Sequence, residues 1–241
     1  MESKVLFKVC FVSPGIYPLF NHQAGTTYGD AETQLYELAA YFGKQENFEV
    51  SVVTDDFGQD EVEFYSGVLV YKAKFTTRSG FMQWLIPSRN PLFRLLDKIN
   101  AQIYIMAGAS GIAKEIAEFC LSKKRIFLFR ISHQRECDGT FSRGMGEEGE
   151  KFLWALKKSY VVICQTQDQK ALLQRKENIS AIRFSNAIMP HITTDTDRKE
   201  VVWIGEAVSW KQPEYFFRLA LSVPEHQFTF ITTPKLSLIH I

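Results

Sequence analysis

The stretch "VVWIGEAVSWKQPE", residues 201–214, contains the pattern of a strand, a turn and the start of a helix. Its first four residues are apolar and mostly β-forming. Gly205 interrupts this run, and Pro213 stands where the first turn of a helix tolerates proline. Lys211 lies between them, six residues after the glycine. The stretch therefore predicts a β-strand whose carboxyl end leads into a helix N-terminus.

The same alternation recurs through the preceding residues. Short apolar runs are followed by segments that carry apolar residues at helical spacing. Strands that alternate with such helices indicate βαβ units, and therefore a parallel sheet with helices on both faces. The predicted strands are "KVCFVSP" (8–14), "EVSVVT" (49–54), "GVLVYKAKF" (67–75), "QIYIMAG" (102–108), "RIFLFRIS" (125–132), "YVVICQT" (160–166) and "AIRFSNAI" (181–188).

The predicted helices lie between these strands, and the last of them has two candidate N-caps, Thr166 and Asp168. The helices cover about 31–42, 112–124, 149–159 and 168–175. The segment "MPHITTDTDRKE" (189–200) is typical of a linker. We therefore predict an α/β chain with one doubly wound, Rossmann-like domain at 1–190 and the incomplete start of a second such domain at 200–241.

Composition narrows the class of protein. The chain has 241 residues, 46% of them hydrophobic and 23% charged, and its net charge of +1 argues against a nucleic-acid partner. The four cysteines are far apart, and two of them, Cys10 and Cys164, lie inside apolar runs. Together with the lack of a signal-peptide pattern or an 18-residue apolar stretch, this favours a reducing, cytoplasmic location.

Ligands of such folds bind beyond the carboxyl ends of the strands, so these ends hold the candidate site residues. The loop after the first strand contains neither G-x-G-x-x-G nor a P-loop, but it leads to a helix start at Gly29 and Asp30. Free backbone N–H groups there could hold a polar or anionic group. The alternative is that these residues only cap the helix.

A second candidate site follows the strand at 125–132, in "HQRECDGTF". His133 and Asp138 could act as a base or bind a sugar hydroxyl, and a surface histidine is the alternative. No second ligand pair accompanies Cys137, so a zinc site is disfavoured. After the next strand, Gln165 and Gln169 offer hydrogen-bonding groups or, alternatively, belong to a helix cap and an exposed helix face.

Basic and aromatic residues are interleaved between positions 72 and 98. Such a mixture suits an anionic membrane surface, and a packed helix pair with a solvated basic face is the alternative. The acidic segment 55–63 is predicted to be a solvated loop. The members of the basic and aromatic group are Lys72, Lys74, Phe75, Arg78, Phe81, Trp84, Leu85, Ile86, Arg89, Leu92, Phe93, Arg94 and Lys98.

Three segments of the chain resemble, in order, motifs of the family 4 glycosyltransferases, which have the GT-B fold. "YGDAETQLYELAAYF" is similar to the family's "GGAE…LA" segment, with Tyr28 in place of its first glycine and Glu32 matched. "IRFSNAI" resembles its "v-i-x-N-G-i" ending, with Asn186 matched and Ala187 in place of glycine. "VVWIGEAVSWKQPE" resembles "v-G-R-x4-K-x-P-E".

The resemblance implies a role for each matched residue. Gly205 and Lys211 would lie at the diphosphate of a nucleotide-sugar donor, and Asn186 would belong to the same donor site. Glu206 replaces the family's arginine, and an acid at contact distance from a diphosphate would repel it by about 1 kcal/mol. Gly29, Asp30 and Glu32 would line the acceptor side, and His133 and Asp138 are the catalytic candidates.

The implied reaction is transfer of a sugar from a nucleotide-sugar donor to a glycan or lipid-linked acceptor, without a metal or other cofactor. A peripheral contact with the inner face of the membrane is compatible with this function. The family's two donor-binding glutamates lie beyond the end of this chain, and "KLSLIHI" (235–241) continues no pattern. We therefore expect the chain to be truncated and inactive alone. The alternative is a non-catalytic α/β module that binds carbohydrate or a partner.

Overall fold

The computed structural model describes residues 6–25, 29–75, 90–186 and 200–232. The chain divides into two compact units, Met1–Met189 (unit 1) and Pro190–Ile241 (unit 2), which are described separately. Apart from residue 200, the segment 189–200 that the sequence predicts to be a linker lies outside the described residues. Tyr28, Ala187 and the tail 235–241 lie outside them as well.

Unit 1 contains an eight-stranded sheet with the order β3-β4-β2-β1-β5-β6-β7-β8. All neighbouring strands are parallel except β3 and β4. The strands are β1 (Phe7–Val12), β2 (Phe48–Thr54), β3 (Val62–Tyr65), β4 (Val68–Lys72), β5 (Ile103–Ala107), β6 (Ile126–Arg130), β7 (Val161–Cys164) and β8 (Ala181–Arg183). The α-helices of the described part of unit 1 are α1 (Tyr17–Phe20), α2 (Asp30–Gly43), α3 (Pro91–Ile99), α4 (Ile112–Ser122), α5 (Thr140–Gly144), α6 (Gly146–Lys158) and α7 (Gln167–Leu172).

The alternation of side chains along each strand separates two hydrophobic cores. In β1, Val9 and Phe11 enter the core beneath α1 and α2, which we call the α2-side core. Cys10 and Val12 enter the core beneath the other helices, which we call the α4-side core. Burying each large apolar side chain contributes about 1.5–3 kcal/mol to the stability of the fold. Helices on both faces of the sheet are needed to bury the side chains of both cores. The predicted doubly wound α/β fold is confirmed.

The prediction of a solvated loop at 55–63 is wrong at its end, where β3 begins at Val62 and pairs antiparallel with β4. The two strands are joined by Ser66 and Gly67, which both have positive φ angles, 46° and 93°. This is the backbone of a tight hairpin turn. A side chain at Gly67 would also collide with the carbonyl oxygen of Gly43 at the end of α2.

The sheet has a switch point between β1 and β5. From β1 the chain continues outward through β2 and β4 on one side, and from β5 through β6, β7 and β8 on the other. The connections therefore diverge at this position and leave a crevice beyond the carboxyl ends of the two strands. These ends are at Val12 and Ala107, so the crevice lies next to the loops that carry the candidate residues.

Unit 2 contains β9 (Glu200–Ile204) and β10 (Gln227–Ile231), paired in parallel, with α8 (Pro213–Ser222) connecting them. Trp203 stacks on Phe230 with their ring centroids 4.5 Å apart. Phe217 of α8 packs on the same phenylalanine at 4.8 Å. Among the residues of this unit whose burial is described, Pro213 alone is buried. The aromatic cluster thus covers one face of the strand pair.

Candidate functional site

Arg130 is a charged residue buried at the carboxyl end of β6, with 3% of its surface exposed. Its neighbours in register are Ala107 of β5 and Ile163 of β7. Phe129 enters the α4-side core, so Arg130 points to the opposite face, which it shares with α2. Its Nη2 donates a hydrogen bond to Oδ1 of Asn186. The predicted site residue Asn186 is therefore held by an arginine that the sequence analysis missed.

Glu136 is a second missed residue, and it connects the loops that follow β5 and β6. One carboxylate oxygen accepts the backbone N–H of Ala109 at 3.2 Å and the other accepts that of Ser132 at 2.9 Å. Only 2% of its surface is exposed, and burial raises the pKa of its carboxyl group to about 7. Its carboxyl group therefore fixes the positions of two strand ends at the same edge.

His133 is exposed at the start of the short helical turn Gln134–Glu136. Its backbone carbonyl accepts the N–H of Glu136 at 3.2 Å. Its imidazole makes no hydrogen bond with the residues that the structure describes and faces solvent, so it is accessible to a ligand at this edge. Its proposed catalytic role remains a prediction.

Asp138 lies five residues further on, and its side chain binds the first residue of α5. Its Oδ1 accepts the backbone N–H of Thr140 at 2.8 Å. Hydrogen bonding from Thr140 lowers the pKa of this carboxyl group. Arg143 also donates to its backbone oxygen at 2.8 Å. A carboxylate held in this way is a weak base, and its catalytic role also remains a prediction.

The start of α2 is capped by Glu32, whose Oε2 accepts the backbone N–H of Gly29 at 3.0 Å. Asp30 is the first residue of the helix. A Cβ atom at Gly108 would be 3.5 Å from the Cβ of Ala31, so this helix start lies close to the end of β5. An anionic ligand would have to displace the Glu32 carboxylate from this N–H, which supports the capping alternative.

The two candidate N-caps of α7 are now distinguished. Thr166 is the cap, since its side chain accepts the N–H of Gln169 at 3.1 Å, and Asp168 lies inside the helix. Gln169 in turn accepts the N–H of Gln165 at 2.7 Å. Gln165 donates to the backbone oxygen of Ile131 at 3.0 Å. These amides therefore bind the neighbouring loop and cap the helix.

In unit 2, the residues of the opening motif form a compact turn between β9 and α8. The N–H of Gly205 donates to the carbonyl of Ile231 at 3.1 Å, which extends the pairing of the two strands. Glu206 and Lys211 are exposed, and Lys211 ends a short helical turn that begins at Ser209. The turn thus presents its lysine directly before the start of a helix, as the sequence predicted.

The basic and aromatic segment 72–98 is described only in part, at residues 72–75 and 90–98. Lys72 is held by the backbone oxygen of Gln59 at 2.6 Å and lies 3.6 Å from a carboxylate oxygen of Glu61. In α3 the apolar side chains of Leu92 and Leu96 are buried, which supports the alternative of a packed helix. The residues Arg78, Phe81, Trp84, Leu85, Ile86 and Arg89 lie outside the described part of the chain.

Residues 6–25, 29–75, 90–186 and 200–232 contain neither a metal-binding cluster nor a membrane-spanning helix. No group of three or more histidine, cysteine, aspartate or glutamate side chains there is arranged to hold a metal ion. No helix in those ranges is both long and apolar enough to cross a bilayer. All four cysteines are free and buried.

No protein-family model matches this sequence, and no curated protein matches it. Solved structures share its fold. A putative UDP-N-acetylglucosamine 2-epimerase from Listeria monocytogenes has a TM-score of 0.52 at 10% identity, over 97% of this chain and 64% of that one. UDP-GlcNAc 2-epimerase from Neisseria meningitidis, bound to UDP-GlcNAc, has a TM-score of 0.55 at 10% identity, over 95% and 66%. UGT71G1 from Medicago truncatula, complexed with UDP-glucose, has a TM-score of 0.51 at 8% identity, over 95% and 67%.

These similarities establish the fold. The chain has the GT-B-like α/β architecture predicted from its sequence, and it spans about two thirds of the length of the proteins it matches.

Proposed function

We propose that this chain is part of a family 4-like glycosyltransferase that uses a nucleotide-sugar donor. Unit 1 would take the glycan or lipid-linked acceptor, and unit 2 would take the donor. The observation that carries the proposal is the placement of Lys211 in unit 2. It follows β9, which ends at Ile204 just before Gly205, and it lies two residues before the helix that starts at Pro213. A lysine in such a turn suits a diphosphate, because the helix start adds its own positive dipole.

The roles follow from charge and accessibility. Lys211 would stabilise the negative charge that develops on the leaving diphosphate, and this stabilisation is expected to contribute most to the rate of a transfer without a metal. Glu206 is exposed one residue after Gly205 and would weaken donor binding. His133 is accessible at the edge of unit 1 and would contact the reacting sugar, with Asn186 nearby on the same edge.

Donor binding by the full chain tests this proposal. Isothermal titration with UDP, UDP-glucose and UDP-GlcNAc should show binding. We expect Lys211→Ala to weaken it about ten- to a hundredfold, because a charge-assisted hydrogen bond to phosphate contributes roughly 1.5–3 kcal/mol. Glu206→Ala should leave the affinity equal or higher. The control is Arg218→Ala, which removes a cation of α8 that lies over Tyr215 instead.

Two results would contradict the assignment. If no UDP compound binds, the donor proposal is wrong. If Glu206→Ala weakens binding more than Lys211→Ala, the glutamate contacts the donor and the motif assigns the wrong residue to the phosphate.

A sugar-nucleotide epimerase is a second candidate, since the two epimerases share this fold with TM-scores of 0.52 and 0.55. Product analysis with the complete enzyme to which the chain would belong separates the two. An epimerase would change UDP-GlcNAc in the absence of any acceptor, whereas a transferase needs the acceptor to form a new glycosidic bond. A non-catalytic carbohydrate-binding module, the remaining alternative, would bind a glycan and leave every UDP compound unbound.

A further inference from the structure

The guanidinium of Arg130 is buried with fewer partners than its chemistry requires. It carries five N–H donors, yet Asn186 is its one hydrogen-bond partner among the described residues. Its Nε is buried without a partner in the same ranges. No carboxylate there lies within ion-pair distance of it. Burial lowers the pKa of the guanidinium, and no acidic neighbour counteracts this shift.

Such a group is costly to keep in a folded protein. An unpaired buried charge destabilises the folded state, and an apolar side chain of similar volume would fill the same space without that cost. Arg125 offers a contrast on the same strand. It also donates to an asparagine, Asn100, but it precedes β6 at the amino edge and remains partly exposed. The buried arginine is therefore the one at the carboxyl edge, where ligands of this fold bind.

The surroundings of Arg130 favour an anion. It lies on the sheet face of α2, and the N-terminus of that helix, near the end of β5, already carries the carboxylates of Asp30 and Glu32. The positive charge available to an anion on this face is therefore that of Arg130 itself. The buried carboxyl group of the following loop, that of Glu136, is already held by two backbone N–H groups. Asn186 is exposed and uses its Oδ1 for the arginine, and its amide N–H groups have no acceptor within the described ranges, so they can donate to a ligand.

We propose that Arg130 and Asn186 bind an oxyanionic group, a phosphate or a carboxylate, of the acceptor, which assigns Asn186 to the acceptor instead of the donor that the family resemblance implies. A planar guanidinium matches both groups in a bidentate geometry. The donors of Arg130 and the amide of Asn186 would then converge on one anion, which satisfies the unpaired Nε. Assigning the anion to the acceptor rests on the proposed function, whereas binding of the oxyanion does not.

The test uses inorganic phosphate and acetate as probes, each compared with chloride at equal ionic strength. Thermal unfolding of the full chain should shift to higher Tm with at least one probe. Phosphate alone indicates a phosphorylated acceptor group, and acetate indicates a carboxylate. We expect Arg130→Met to weaken the affinity for the effective anion about tenfold or more. Arg125→Met, the matched control at the other end of β6, should keep it.

Arg130→Lys provides a second variant if the methionine variant does not fold, as judged by circular dichroism. Lysine keeps the positive charge but lacks the planar guanidinium that binds an anion through two N–H groups. The anion should therefore bind several times more weakly than in the wild type. Titration with UDP separates acceptor from donor. The affinity for UDP should be the same in the wild type and in Arg130→Met.

Three results would overturn the proposal. The first is that neither anion shifts the Tm of the wild type. The second is that Arg130→Met and Arg130→Lys respond like the wild type. The third is that Arg130→Met weakens UDP binding as much as it weakens binding of the anion. The last result would assign the arginine to the donor. Failure of the wild type to bind UDP would contradict the proposed function and leave the phosphate or acetate result standing.

Discussion

Units 1 and 2 are built from the same parallel βαβ pattern, but they differ in how many faces of the strands are covered. In unit 1, both faces of β1 are buried against helices. In unit 2, Trp203 of β9 stacks on Phe230 of β10, on which Phe217 of α8 also packs, and Ile204 remains 74% exposed. Apolar strand residues alone therefore do not specify a two-sided core. Helices on both faces are needed as well.

The largest effect expected from this difference is on core substitutions. Phe129 is fully buried in the α4-side core, with its ring 5.5 Å from that of Phe152. Replacing it by alanine should cost about 3–5 kcal/mol of unfolding free energy, since it removes a large side chain and leaves a cavity. Phe230→Ala in unit 2 is the matched change, and we expect it to cost less than about 1 kcal/mol in the main transition.

Urea unfolding followed by circular dichroism measures both variants. Equal losses for Phe129→Ala and Phe230→Ala would show that the half-exposed cluster of unit 2 supports the fold as strongly as the two-sided core does. Covering both faces of the strands would then not explain a difference in stability between the two units.

The second prediction concerns pH. The pKa of Glu136 is raised to about 7 in the folded chain, compared with an ordinary value of 4.5. A raised pKa in an acid means that the folded state holds the proton more tightly than the unfolded state. The contribution to stability is therefore complete below pH 4.5 and is lost as the pH rises towards 7, by about 3 kcal/mol in all.

Glu136→Gln should remove this slope between pH 4.5 and 7, whatever it does to stability at a single pH. The matched control is Glu214→Gln in α8, where the carboxylate is exposed. Urea midpoints measured across the window decide the outcome. A wild-type slope that survives in Glu136→Gln would assign the titration to another group.

The sequence predicted the strands better than it predicted the site, and the reason is physical. An apolar run such as 49–54 is typical of a parallel strand buried on both sides. The strand can therefore be predicted from the local sequence alone. The hairpin turn at Ser66 and Gly67 was missed because an acidic segment precedes it. Arg130 was missed because a single charge ending an apolar run has no local signal, and its burial depends on neighbouring strands.

Helix capping gives the smallest predicted effect and a further contrast between the units. Thr166 caps α7 with its side chain and forms a capping box with Gln169. Gln212 begins α8 without a side-chain cap, and its φ of 53° lies in the left-handed region. Thr166→Ala should cost about 1 kcal/mol, because it leaves a helix N–H without its acceptor.

Gln212→Gly should change the unfolding free energy by less than about 0.5 kcal/mol. Glycine adopts a positive φ without strain, and this gain is offset by its greater freedom in the unfolded chain. Because α8 lacks a side-chain cap, the substitution removes no hydrogen bond from the helix start. Urea unfolding of the two variants compares them directly. A loss for Gln212→Gly as large as that for Thr166→Ala would mean that the glutamine side chain stabilises the turn after Lys211, and the simple contrast between a capped and an uncapped helix would fail.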